Sequence, residues 1–138
     1  MNTKLYKRVH TLAIELLKAA EDENDQVFEK YYEELKVLCV DNERDEIMNH
    51  PVQWETLADF TEDSAEALAL YQKALGFAEA IDAKDYMASI SYAMAIILQE
   101  TGSAEQALVL ARQAHNMASG GEDEELRKEI KALLKTMH

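Results

Sequence analysis

Apolar residues recur at helical spacing along nearly the whole chain. Leu5, Val9, Leu12, Leu16 and Ala20 step by three and four, which predicts a helix over about 3–21. Phe28, Tyr31, Tyr32, Leu35, Leu38 and Cys39 predict a second over about 24–40. An acidic, polar break follows at Asp41–Asn49. Pro51 stands where a first-turn proline belongs, with Asn49 or His50 as the cap, and Trp54, Leu57 and Phe60 give a short third helix. Asp63 with Glu66 three residues on reads as a cap opening a fourth helix, 64–80. Asp82 is expected to cap a fifth over about 83–101, stopped by Gly102 in a left-handed conformation. Ser103 and Gln106 have the spacing of a capping box for a sixth, 104–118, which Gly120 and Gly121 end. A seventh, 122–137, opens with acids and closes with Lys131 and Lys135, complementing the helix dipole, along an apolar line of Leu126, Ile130, Leu133 and Met137. The connections are short, so successive helices are expected to run antiparallel. The fourth and fifth helices are apolar over more than one face, as in the middle of a stack. The first and seventh keep cleaner polar faces.

A period of about forty runs through the even-numbered helices. Ala107, Ala111 and Ala114 are spaced four and three apart, Ala67, Tyr71 and Ala74 repeat this 40 residues earlier, and Phe28, Tyr32 and Leu35 repeat it 39 residues before that. The stretch Met94–Ala95–(x2)–Leu98–(x3)–Gly102–(x4)–Ala107–(x3)–Ala111–(x2)–Ala114 resembles a tetratricopeptide (TPR) repeat. Ala95, Gly102, Ala107 and Ala114 match the small residues and the turn glycine of that pattern. Trp54–(x2)–Leu57–Ala58 resembles the opening of its first helix, in a unit about three residues short between its halves. The earliest unit departs further, with Phe28 where the pattern has a small residue. The resemblance implies one all-α domain over 1–138. Three antiparallel helix pairs (about 3–40, 51–80 and 83–118) would form a right-handed stack, with a capping helix at 122–137. Seventeen of the 20 alanines fall from Ala58 onward, where the match is best.

Charge narrows the expected partners. The chain of 138 residues has a net charge of −13. Residues 1–20 carry +3, whereas residues 21–63 carry −12 from fifteen acids and three bases. Such a field repels phosphate backbones and anionic lipid, and it attracts basic partners. Neither nucleic acid nor a membrane is therefore an expected partner. The longest apolar stretch, Tyr92 to Leu98, has seven residues, well short of the roughly 18 that span a bilayer. Glu15 and Lys18 interrupt the apolar part of the first helix, so it does not read as a secretion signal, and a cytoplasmic location is expected.

The sequence lacks the marks of catalysis and metal binding. It has no HExxH and no glycine-rich phosphate loop. His10, His50, His115 and His138 lack ligand spacing, and a single cysteine, Cys39, supports no disulfide or thiolate cage; neither a metal nor a cofactor is expected. Asp22, Asn24 and Gln26 alternate, with Glu33 at the twelfth position, but Val27 stands where a calcium loop needs its glycine.

The remaining expectation is a binding protein. Carried over from the TPR pattern, the concave groove would be lined by His10, Ala13 and Leu17 on the first helix, Glu55 and Asp59 on the third, and Tyr92, Ile96 and Gln99 on the fifth. This mixture of apolar and acidic residues lacks the lysine- and asparagine-rich clamp of the TPR proteins that grip acidic chaperone tails. It implies a basic or amphipathic protein segment, with Tyr92 and Ile96 as anchors and Glu55 and Asp59 as counter-charges. An adaptor, a chaperone or a regulatory subunit fits this, and so does an acidic inhibitor or immunity-type protein that neutralises a cationic enzyme. A second copy of the chain is also an admissible partner. No constellation of residues points to an enzyme.

Overall fold

A computed structural model describes residues 2–137. Among them the chain forms seven helices and no strand: α1 (Thr3–Glu21), α2 (Asp25–Asn42), α3 (Pro51–Asp59), α4 (Ser64–Ala80), α5 (Lys84–Glu100), α6 (Ala104–Ala118) and α7 (Glu124–Lys135). The all-α expectation and the number of helices stand. The chain divides into two compact units, Met1–Leu70 and Tyr71–His138.

Three helix ends share one device. Glu23, Asp82 and Gly102 adopt left-handed φ values of 54°, 52° and 88°. At each, the next residue's amide reaches back five positions: Asn24 to Ala19 (2.9 Å), Ala83 to Ala78 (2.9 Å) and Ser103 to Leu98 (2.8 Å). This is the Schellman stop, which satisfies carbonyls left over at the helix end. The residue that completes each stop is also the N-cap of the next helix. One consequence corrects the sequence expectation. Asp82 is spent on ending α4, so Ala83 becomes the N-cap of α5 and no side chain caps it. Ser103 is the N-cap of α6 but makes no side-chain cap bond, so the capping box with Gln106 does not form. Asp63 accepts from the Glu66 amide at 2.9 Å as expected, and Asp123 does the same for Leu126 at 2.9 Å.

In the first unit, α1 packs on α2 and α3, and α2 packs on α3. α1 buries Leu5, Val9, Leu12, Leu16 and Ala19; Ala20, expected in that line, is exposed. α2 runs two residues past its predicted end and buries only Leu35 and Cys39 completely. Its aromatic residues Phe28, Tyr31 and Tyr32 are half-buried.

The segment between α2 and α3 is tied down rather than loosely solvated. Asp45 accepts from the amides of Ile47 (3.0 Å) and Met48 (3.2 Å). Gln53, fully buried, donates to the Met48 carbonyl (3.2 Å) and to Asn49 Oδ1 (3.1 Å), and it accepts from Asn42 Nδ2 (3.2 Å). Asn49 Oδ1 also accepts from Trp54 Nε1 at 2.7 Å, and Cys39 Sγ donates to the Gln53 carbonyl at 3.3 Å. Every buried side-chain nitrogen and oxygen among the described residues has a partner, as a native interior requires.

In the second unit, α5 packs along α6, and α7 packs on both. The contact is made of small residues: Ala88, Ala114 and Ala118 cluster with Ile130, and Tyr92, Met117, Leu126 and Leu134 pack around them. Ser91, fully buried, accepts from Gln113 Nε2 at 3.1 Å. Residues without side-chain bulk let helix axes approach closely, so alanines at zero exposure are the expected signature of such packing.

Candidate partner-binding surfaces

The anticipated groove residues meet different fates in the two units. On α1, His10 is exposed, Ala13 is half-buried and Leu17 is 54% exposed. Tyr6 (45% exposed) and Ile14 (49%) lie on the same side of the helix, by the three- and four-residue spacing. The Tyr6 and His10 rings stack with centroids 6.2 Å apart and planes within 4°. An uncovered apolar and aromatic face therefore flanks the buried line of α1. On α3, Glu55 is half-buried and Asp59 exposed, one helical turn apart.

On α5 the same positions are engaged by α7. Tyr92 packs against the Ala88–Ala114–Ala118–Ile130 cluster. Its hydroxyl is pushed above the usual tyrosine range, chiefly by burial and secondarily by the Glu129 carboxylate on α7. Gln99 donates to Thr136 Oγ1, just past the end of α7, at 3.2 Å. Ile96, between them on this face, is half-buried. Near the same end, Gln99, Ala107, Leu108 and Met137 line a cleft of about 300 Å³.

A cleft in the first unit was not anticipated from the sequence. It has a volume of about 390 Å³ and lies between α2 and the α3–α4 connection. Phe28, Tyr32 and Phe60 line it: the Phe28 ring lies 6.3 Å from each of the other two, edge-on at 63°. Tyr32 is held by a 2.7 Å hydrogen bond to Thr61 Oγ1. Because Thr61 donates its own proton to the Leu57 carbonyl (2.8 Å), the tyrosine is the donor in that bond. Glu29, Glu33, Glu62, Asp63 and Glu66 surround the rings, against one base, Lys36. A second cavity of about 390 Å³ shares Phe28 and Glu62 and adds Glu23 and Asp25. The sequence did carry a signal for this site. Phe28, which departs from the small residue of the TPR pattern the sequence resembles, is one of its lining rings.

His50 caps α3 through Nδ1, which accepts from the Val52 amide at 3.1 Å. Burial holds its pKa below the ordinary histidine value, so the neutral ring that can accept this bond is favoured.

No protein-family model matches the chain, and no curated protein or solved structure matches it either. No helix among the described residues is long and apolar enough to cross a membrane.

Proposed function

We propose that the protein is a divergent TPR-like repeat protein, a right-handed stack of helix pairs capped by α7. We propose further that it serves as a non-enzymatic interaction module holding a basic or amphipathic segment of another protein. Two features support the repeat. The N-caps of α2, α4 and α6, Asn24, Asp63 and Ser103, fall 39 and 40 residues apart. The lines Phe28–Tyr32–Leu35–Cys39, Ala67–Tyr71–Ala74–Ala78 and Ala107–Ala111–Ala114–Ala118 share one spacing, and all members are buried except the half-buried Phe28 and Tyr32.

The observation that carries the function is a coincidence of charge and exposure. Residues 21–63 carry −12, and the unit that contains them leaves Tyr6, Ile14 and Leu17 uncovered. Apolar area supplies affinity, and the carboxylates of residues 21–63 steer a cationic partner toward this unit, although residues 1–20 themselves carry +3. The test uses a partner captured on the immobilised full chain and then purified. Its affinity is expected to fall steeply with salt, because surface charges act over only about 8 Å at physiological ionic strength. Reversing Glu55 and Asp59 to lysine is expected to slow association, and Leu17→Ser to speed dissociation. Binding that ignores salt and both changes would return the negative charge to a role in solubility.

A further inference from the structure

We infer that the acidic cleft lined by Phe28, Tyr32 and Phe60 is the socket for an arginine side chain of the partner's basic segment. This rests on the reading above and assigns its anchor point to α2 and the α3–α4 connection, away from the anticipated groove residues.

Three observations on the cleft converge on a planar organic cation. The first is the aromatic lining. Phe28 contacts two other rings edge-on, and Tyr32 is fixed in place by its bond to Thr61. A ring whose orientation is fixed by its neighbours offers a preformed face, and aromatic faces attract guanidinium groups. The protein already uses this contact on the same helix, where Lys30 Nζ sits 5.3 Å from the centroid of Tyr31.

The second is the sign of the charge around the rings, five carboxylates against one amine. Asp63 is committed to capping α4, which fixes that carboxylate in position beside the cleft. The third is that those carboxylates do not form a metal-ligand group. Among the described residues no three acids, histidines or cysteines lie close enough together to hold a metal ion. Carboxylates set beside aromatic rings suit a cation that delocalises its charge over a plane and donates along its edge. Arginine does both, whereas lysine presents a compact, strongly hydrated charge. The volume of about 390 Å³ lies at the lower end of the range for small-ligand pockets and leaves room for one such side chain.

The experiment is an NMR titration of the full chain with a short arginine-containing peptide. The same peptide with citrulline, and with lysine, replaces it in parallel. Citrulline keeps the shape of arginine and removes the charge. Saturable shifts of the Phe28, Tyr32 and Phe60 ring signals are expected with arginine, with dissociation constants at least about tenfold weaker for citrulline and lysine. Glu33→Gln and Glu62→Gln are solvent-exposed changes that should leave the far-ultraviolet circular dichroism intact, and together they are expected to weaken arginine binding about tenfold. Shifts confined to Tyr6, Leu17 and α3 would overturn the socket while leaving a basic-segment module standing. Equal binding of citrulline would overturn the cation, equal binding of lysine would overturn arginine, and no saturable shift at the rings would overturn the assignment outright.

Discussion

Replacing Gln53 by leucine removes the hub that ties the α2–α3 segment to the helices on either side of it. Gln53 is fully buried and makes three side-chain hydrogen bonds, to Met48, Asn49 and Asn42. At about 1 kcal/mol net for each, the bonds contribute about 3 kcal/mol. Leucine recovers about 1 kcal/mol by burying apolar surface in the same space. Asn49 keeps its bond from Trp54, and half-buried Asn42 can turn to water, so neither adds a large penalty. The expected net loss is therefore about 2 kcal/mol.

The protein supplies its own reporter, since Trp54 is the single tryptophan and lies in the same network. Urea unfolding followed by its fluorescence reads the first unit, and circular dichroism at 222 nm reads every helix. The fluorescence midpoint should fall with the slope unchanged. Asn42→Ala removes only one of the three bonds, and the double variant should cost about 1 kcal/mol less than the sum of the singles, because the Asn42–Gln53 bond is then lost once. A loss below about 0.5 kcal/mol for Gln53→Leu, or strict additivity with Asn42→Ala, would refute the network as a stabilising unit.

Three further outcomes are expected. The pKa of His50 lies lower folded than unfolded, so the folded state resists its protonation; stability should fall as pH drops below about 6.5 and level off below the folded pKa. His50→Asn keeps a capping acceptor without titrating, and it should flatten that part of the pH profile of Trp54 unfolding. Glu23→Gly and Asp82→Gly should each raise stability by about 0.5–1 kcal/mol by relieving left-handed strain, whereas Gly102→Ala, with open space around its added Cβ, should cost about 1 kcal/mol from backbone strain alone. Ala114→Leu should cost about 1–3 kcal/mol by overpacking the cluster with Ala88 and Ile130, and Ala107→Leu less, since Ala107 borders the cleft near Met137; thermal unfolding of both variants checks the order.

Periodicity made the helices legible because each exposes its buried stripe in local spacing. Local signals also placed the cap at Asp63 and narrowed that of α3 to Asn49 or His50, of which His50 makes the bond. What they missed is set by partners distant in the chain. Asp82 has the composition of a cap, but its backbone is claimed by the helix before it. The break at 41–49 reads only as acidic and polar, and part of its order comes from a glutamine beyond its end. Tyr92 and Gln99 were expected to line a groove, and it is the helix expected as a cap, α7, that meets them. The acidic cleft escaped for a related reason: Phe60, Glu62 and Glu66 join Phe28 only once α2 and the α3–α4 connection are packed.

The first unit leaves apolar surface uncovered on α1 and α2, and its third helix is short. α3 has nine residues and rises about 13 Å, whereas α1 has nineteen and rises about 28 Å. A helix of that length covers at most about half of a neighbour such as α1. The exposed apolar residues of α1 are spread from Tyr6 to Leu17, a rise of about 16 Å, and Val37 and Val40 add to the uncovered area on α2. In the second unit α7 lies against α5 and α6 and engages Tyr92 and Gln99, while Ile81 and Val109 stay exposed. The short third helix agrees with the shortened second unit of the proposed repeat. Under the proposed function, a partner helix of about ten residues, apolar on one side and basic on the other, has the length to cover the Tyr6–Leu17 face. Its cations would have to point away from the bases of α1 and toward residues 21–63, where the chain concentrates its negative charge.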